Sequence, residues 1–157
     1  MLDLDDTIAA IATAIGAAGL AVVRASGSSV LAIADAVFEG ARLSQAAGGT
    51  LHHGWAVWPQ AAEAPPVDGV AGAGLAPSTA PDGSVREARV RLDEVVAAVF
   101  RAPRSYTRQD VVELSCHGGA LSAGRVLAAE LAAGARRARP GELTLRAFFN
   151  GRLDLAQ

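Results

Sequence analysis

Two charged residues within apolar strands are the first candidates for binding chemistry. Arg24 ends a short run that holds two adjacent valines, and Glu113 lies inside "VVELSC". A carboxylate buried without a partner is costly, so we expect Glu113 either beside a pocket or on a solvent-facing sheet surface. Arg24 suits a clamp for a carboxylate or phosphate group, and equally suits a strand-end side chain that reaches solvent.

A His-Gly-Gly segment follows the same predicted strand. Its glycines allow a ligand close to the backbone or an anion at a helix start, but they also suit a plain strand-to-helix turn. His117, Gly118 and Gly119 are therefore candidate pocket-lining residues. The only nearby activating group for Cys116 is His117, so we expect a buried, inert thiol.

A third polar group lies in the closing stretch "RPGELTLRAFFNGRLDLAQ". Arg146, Asn150 and Arg152 cluster around a predicted helix end, either as pocket-lining residues or as cations that complement the helix dipole. The adjacent His52 and His53 would point to opposite faces of a strand, so we expect no metal site. No GxxxxGK[ST] or GxGxxG phosphate loop occurs, and no residue is assigned as catalytic.

The elements that must position these residues follow from apolar periodicity and turn residues. Strands are predicted over 7–13, 19–24, 50–59, 95–100 and 111–116, with a short edge strand in 136–140, and helices over 28–40, 120–134 and 140–151. The order β-β-α-β-β-β-α-β-α predicts an α+β fold, a mixed β-sheet with helices packed mainly on one face.

Helix ends and buried faces can also be predicted. Ser28 or Ser29 can cap the first helix, and Gly40 stands where a left-handed C-terminal residue belongs. In the second helix, the leucines at 121, 127 and 131 are expected to be buried.

Composition narrows the class of protein. The chain has 157 residues, enough for one domain, and its net charge of −2 argues against a dedicated nucleic-acid surface. A single cysteine excludes an internal disulfide and fits a reducing cytosol, and no apolar run reaches membrane-spanning length, so we expect a cytoplasmic domain. Residues 60–86, rich in Ala, Gly and Pro, are expected to form a flexible insertion.

Four segments in this order, "DTIAAIAT", "GLAVVRASG", "RSYTRQDVVELSCHGG" and "RPGELTLRAFFNGRLDLAQ", resemble the N-terminal domain of the MnmE family, also called TrmE. The resemblance covers nearly the whole chain outside residues 60–86. It implies a domain similar to the folate-binding part of aminomethyltransferases. The resemblance also implies that this domain forms a homodimer and binds 5-formyltetrahydrofolate or a related tetrahydrofolate. Arg24 and Glu113 match folate-contacting residues, and Arg152 stands where the family often has lysine, so these three are the expected cofactor-binding residues.

The resemblance also implies a larger protein. The family is a GTPase that installs the 5-carboxymethylaminomethyl group on the wobble uridine of tRNA, as a homodimer with an FAD-binding MnmG-like subunit. GTP, Mg²⁺ and K⁺ belong to a GTP-binding domain beyond a helical domain. Since residues 1–157 contain neither, we expect no GTP hydrolysis from this chain alone, contact with tRNA only through the assembled complex, and no membrane partner.

Two segments depart from the family pattern. Residues 14–19 read "AIGAAG" in place of Pro-Pro-Gly-Arg-Gly-Gly, and "YTRQD" replaces "YTGED", which removes a loop glycine and an acidic residue.

Three functional alternatives stay open at this point. The chain is a fragment or truncated product of an MnmE-like protein, a free-standing folate-dependent one-carbon or folate-binding protein, or a dimerisation scaffold without ligand. A GxxxxGK[ST] loop encoded beyond residue 157 would support the first. A stop codon would support the second if folate binds, and the third if it does not.

Overall fold

The chain forms one mixed β-sheet with helices. The computed structural model describes residues 4–14, 16–60, 62, 78–79, 85–86 and 89–154, so most of the predicted insertion and residues 155–157 lie outside the described residues. The strands are β1 Ile8–Ile11, β2 Leu20–Ser26, β3 Phe38–Glu39, β4 Thr50–Val57, β5 Ser78–Thr79, β6 Val85–Arg86, β7 Arg91–Phe100, β8 Val111–His117 and β9 Arg136–Arg137. The helices are α1 Val30–Val37, α2 Ala120–Ala132 and α3 Glu142–Phe149.

Seven strands form the main sheet in the order β3-β4-β7-β8-β2-β1-β9. All neighbours pair antiparallel except β1 and β9, which pair parallel. Strands β5 and β6 pair separately as a two-stranded antiparallel sheet. The predicted α+β class and element order are confirmed, and the two-residue strands β3, β5 and β6 are additions that the sequence pattern did not predict.

The hydrophobic core lies on one face of the sheet, under α1 and α2. Alternate residues of a strand point to opposite faces, so Ala21 and Val23 of β2 enter the core with Val112 and Leu114 of β8. The other face, which we call the open face, carries Val22, Arg24, Val96, Glu113 and Ser115. Helix α3 lies beside the open face, where its N-terminal turn joins a cavity wall with Arg24.

Helix α1 ends differently from the sequence prediction. Its C-cap is Phe38 in an extended conformation, and the chain continues directly into β3. Gly40 is not among the described glycines with positive φ. Glycine is favoured at this position for a steric reason, because a Cβ there would lie 2.7 Å from the Phe38 ring. Ser29 is the N-cap residue, but its side chain makes no capping hydrogen bond, and its N–H instead donates to Thr7 Oγ1 at 2.9 Å.

Helix α2 buries a narrower face than the leucine spacing predicts. Leu127 is buried and Leu131 packs against the core, whereas Leu121 is 62% exposed. The buried stripe runs through Ala123, Val126 and Leu127, and Leu121 lies on the opposite side of the helix, two residues before Ala123. In the part of the chain that is described, no helix combines the length and apolarity needed to cross a membrane.

Glu130 is a carboxyl group on the buried side of α2. It is 2% exposed, and its Oε2 atom has no hydrogen-bond partner among the described residues. Burial raises the pKa of the Glu130 carboxyl to about 8, because the charged form loses hydration inside the core. The folded protein therefore keeps a proton that the unfolded chain releases near a pKa of about 4.3.

Glu130 should make the protein less stable as pH rises from about 5 to 8. Over that range the unfolded chain loses a proton that the folded chain retains, so the free energy of unfolding falls by up to about 1.4 kcal/mol per pH unit and levels off above the folded pKa. Glu130→Gln should remove this slope in urea unfolding at a series of pH values. Glu94→Gln, at an exposed position, should keep it; equal slopes in wild type and Glu130→Gln would contradict the prediction.

Candidate functional site

Arg24 and Glu113 form an ion pair on the open face. They are direct cross-strand partners of β2 and β8, and Arg24 Nε donates to Glu113 Oε1 at 2.7 Å. Their side chains are 24% and 21% exposed, so the pair is partly shielded from water but accessible to a ligand. The two residues that the sequence singled out separately therefore form one charged centre.

Tyr106 covers this pair from the loop 101–110. The Arg24 guanidinium carbon lies 4.7 Å from the centre of the Tyr106 ring, a distance suited to cation–π attraction. The Tyr106 hydroxyl shares a 3.0 Å hydrogen bond with Thr144 Oγ1 of α3. Tyr106 thereby connects the ion pair to the last helix.

Polar contacts hold the same loop in place. Thr107 is fully buried, and its Oγ1 lies 2.6 Å from Ser26 Oγ in a hydrogen bond. Asn150 Nδ2 donates to Thr107 O at 2.6 Å, which joins the loop to the end of α3. Asn150, a candidate pocket residue in the sequence, therefore positions the loop that bounds the site.

Two cavities meet at Tyr106. The first, of about 590 Å³, is lined by Phe100, Pro103, Arg104, Ser105, Tyr106, Arg108, Val111, Glu113 and Arg152. The second, of about 490 Å³, is lined by Arg24, Tyr106, residues 10–12 and residues 138–144. The Arg24–Glu113 pair contributes one residue to each cavity. Arg152 is exposed and lies on the first cavity with Glu113, so the structure brings all three expected cofactor-binding residues to one region.

The His-Gly-Gly segment lies elsewhere. His117 is four residues beyond Glu113 at the end of β8, where it faces a separate cavity of about 410 Å³. Its Nδ1 lies 2.6 Å from Asp93 Oδ1, and this hydrogen bond and the charge of Asp93 raise the pKa of His117. The structure does not bring His117 together with Arg24 and Glu113.

The two glycines after His117 have conformational and steric reasons to be glycine. A Cβ on Gly118 would lie 1.6 Å from Ala18 O, and Gly118 N donates to Gly19 O at 3.1 Å. Gly119 is the N-cap of α2 with a φ of 114°, a conformation that L side chains rarely adopt. Both features are those of a strand-to-helix turn packed against residues 18–19.

Cys116 lies on the His117 cavity rather than beside Arg24 and Glu113. Cys116 is buried, and burial together with the charge of Asp93 raises its pKa to about 11, so the thiol stays protonated at neutral pH. Among the described residues, no group of three or more His, Cys, Asp or Glu side chains could hold a metal ion.

Arg146 is buried in an ion-pair cluster rather than on a cavity wall. Its side chain is fully buried, its Nη1 donates to Asp6 O at 2.6 Å, and its Nη2 pairs with the Asp6 carboxylate. Arg136 bridges the cluster, with Nε 2.6 Å from Asp6 Oδ2 and Nη2 2.6 Å from Glu142 Oε1. The sequence suggested Arg146 as a pocket-lining residue, but in the structure it is a buried member of this ion-pair cluster. Its burial is possible because Asp6, from the start of the chain, supplies a partner for its charge.

The pKa values of the two acids reflect this arrangement. Burial raises the pKa of Asp6, but hydrogen bonds from Arg136 and Arg146 outweigh it and hold the pKa below its ordinary value. The hydrogen bond from Arg136 lowers the pKa of Glu142 despite its burial. Both acids are therefore ionised at neutral pH, which keeps the cluster paired.

Seven of the nine residues that line the first cavity were not found by sequence reasoning. Tyr106, Arg104 and Arg108 all lie in a loop whose polar residues gave no periodic signal. The one available signal is Tyr106 itself, the single tyrosine of a chain with only 4% aromatic residues.

Comparison with known proteins identifies the family. The family model described as "GTP-binding protein TrmE N-terminus" matches residues 7–152, which include Arg24, Glu113 and Arg152. The chain belongs to this family.

Curated relatives of this TrmE-family chain carry the name "tRNA modification GTPase MnmE". The chain is 45% identical over 157 residues to that of Moorella thermoacetica, which covers 98% of the chain and 28% of the relative. It is 43% identical over 156 residues to that of Symbiobacterium thermophilum, again over 98% and 28%. It is 42% identical over 153 residues to that of Shouchella clausii, over 97% and 28%. The chain thus spans about 28% of the length of these relatives.

In this TrmE-family chain, replacing Arg146 should destabilise the fold. Arg146→Met keeps much of the side-chain volume but leaves a buried carboxylate without one of its cations, which costs about 3 kcal/mol of unfolding free energy. Arg137→Met, at an exposed position of β9, is the matched control and should change the free energy by less than about 0.5 kcal/mol. Urea unfolding at neutral pH measures both, and similar values for the two variants would show that the cluster is not structural.

Proposed function

We propose that this chain is the tetrahydrofolate-binding and dimerising domain of a GTPase that installs the 5-carboxymethylaminomethyl group on tRNA wobble uridine. The observation that carries the proposal is the Arg24–Glu113 ion pair at the meeting point of two cavities, with Arg152 on the wall of the first. The relatives' shared name, "tRNA modification GTPase MnmE", supports the assignment to a tRNA-modifying GTPase.

The residues of the site fit 5-formyltetrahydrofolate in their chemistry. The pterin ring of a folate offers an N–H and an amino group side by side, which a carboxylate can accept through its two oxygens. Arg24 engages Oε1 of Glu113, and among the described residues Oε2 has no hydrogen-bond partner. The volume of about 590 Å³ lies in the range of small-molecule sites. When bound, the folate would supply a one-carbon unit.

The two arginines would have different roles. Arg24 would orient the Glu113 carboxylate, because the hydrogen bond from Arg24 Nε holds Oε1 and leaves Oε2 for the ligand. Arg152, exposed and lining the first cavity, would bind carbonyl or carboxylate groups of the ligand.

Titration of 5-formyltetrahydrofolate by calorimetry tests this proposal. Glu113→Gln keeps the shape of the side chain but removes its charge, so we expect affinity to fall roughly thirtyfold, the equivalent of about 2 kcal/mol for a hydrogen bond to a charged group. Glu94→Gln, also on the open face but beside the His117 cavity, is the matched control and should bind like wild type. Unchanged affinity in Glu113→Gln would refute the assigned role of Glu113.

Dimerisation is supported by the apolar residues of the open face. Leu20, Leu51 and Val96 are 66%, 72% and 38% exposed, although they lie on strands of the main sheet. Leu51 and Glu113 are both cross-strand partners of Ala98, so Leu51, Ala98 and Glu113 all point to the open face. An uncovered apolar sheet surface of this kind suits a second copy of the chain.

Light scattering after size-exclusion chromatography tests the dimer. A charged residue in the centre of the contact would be buried without a partner, so we expect Leu51→Glu together with Val96→Glu to convert the dimer into a monomer at micromolar concentration. Leu121→Glu, an exposed leucine on the helix-covered side, should leave the dimer intact. A wild-type monomer, or a dimer that survives the double substitution, would count against this surface.

The remaining partners follow from the same assignment. GTP, Mg²⁺ and K⁺ would bind outside these 157 residues, since no GxxxxGK[ST] loop occurs in them. We also propose an FAD-binding MnmG-like subunit as partner and contact with tRNA through the assembled complex, in the cytoplasm.

A further inference from the structure

Three arginines surround the first cavity. Arg104, Arg108 and Arg152 line it, and all three are exposed. Among the described residues, none of them forms an ion pair with a carboxylate. The single carboxylate that the described residues contribute to the wall, Glu113, is paired with Arg24. The cavity therefore has an excess of positive charge although the chain has a net charge of −2.

Arg108 occupies its position against a conformational cost. Its φ of 61° makes it the one described non-glycine residue with a positive φ, a conformation that side chains other than glycine adopt uncommonly. Its Nη1 donates to Asn150 O at 3.3 Å, beside Gly151 at the end of α3. A strained residue at the rim of a cavity is a reason to look for a function of its side chain.

We infer that Arg104 and Arg108 select tetrahydrofolates whose tail carries several glutamates. This inference rests on the proposed function. A tail with one glutamate has two carboxylates, and each glutamate added through a side-chain amide contributes one more. Three arginines outnumber the carboxylates of the short tail, and a tail of three glutamates provides enough anions to engage them all.

The shape of the site favours a ligand tail over nucleic-acid phosphates. The arginines converge on one cavity that also contains Glu113, whereas phosphate-binding residues are expected along an extended basic face. Arg104 and Arg108 lie on a loop that begins next to Phe100 of β7 and ends next to Val111 of β8. Because both arginines line the same cavity, one tail could contact both.

The test compares 5-formyltetrahydrofolates with one and with three glutamates, by calorimetry on the intact chain. For wild type we expect the longer tail to bind about tenfold more tightly at about 50 mM salt, and the advantage to shrink at about 500 mM salt, since exposed charges are screened. The double variant Arg104→Ala/Arg108→Gly should bind the two ligands within about twofold of each other. Arg137→Ala, an exposed arginine outside this cavity, should keep the tenfold preference.

A stability measurement separates lost recognition from lost folding. Glycine adopts a positive φ without strain, so Arg108→Gly should unfold at the same or a higher temperature than wild type while its preference for the long tail decreases.

The outcomes distinguish this inference from the proposed function. Equal affinity of wild type for the two tails, or a preference that survives in the double variant, overturns the inference and leaves folate binding intact. A double variant that keeps the tail preference but loses affinity for a short single-stranded RNA would assign the arginines to phosphates and also overturns it. No binding of either ligand by wild type overturns the proposed function, and the inference falls with it.

Discussion

The antiparallel pairing of β2 with β8 determines where the charged centre lies. Arg24 and Glu113 are opposite each other because Val23 and Leu114, their neighbours, are opposite each other in the core. A slip of one residue would carry Glu113 into the core and Leu114 onto the open face. The apolar residues that stabilise the fold therefore also enforce the ion pair, and the site inherits the rigidity of the sheet.

The loop that forms part of the cavity walls is held by polar contacts rather than by apolar packing. The loop 101–110 is held by hydrogen bonds to its own end and to its neighbours: Ala102 N donates to Asp110 Oδ1 at 2.8 Å, and Thr107 bonds to Ser26 and Asn150. Because buried polar contacts fix the loop backbone, exposed side chains such as Arg104 can differ without disturbing the core. The centre of the site is thus constrained by packing, while its rim is free to vary.

The sequence predicts the strands and helices well where periodicity is strong. The alternation in β8 placed Glu113 on the face opposite Leu114, and the structure agrees. What local patterns lack is register between distant strands: Arg24 and Glu113 are 89 residues apart, so nothing in either segment identifies the other as its partner. Their association was expected only through the family resemblance.

Other features depend on tertiary contacts. Arg146 looked like an accessible helix-end cation, because its burial depends on Asp6 at the other end of the chain. Tyr106 lies in a loop, where the direction of a side chain follows from anchoring contacts rather than from a period. Leu121 shows the opposite error, since a leucine in an amphipathic helix is buried only if it falls on the stripe that meets the sheet.

The order of synthesis affects when the buried ion-pair cluster can form. Its members are Asp6, Arg136, Glu142 and Arg146. Asp6 is synthesised 140 residues before Arg146, yet among the described residues its carboxylate forms ion pairs with Arg136 and Arg146, which lie near the end of the domain. A nascent chain on the ribosome can therefore pair β1 with β2 before the two arginines that pair with the Asp6 carboxylate have emerged. During synthesis these ion pairs can therefore form only after almost all of the domain has emerged, and contacts of such long sequence separation are associated with slow folding.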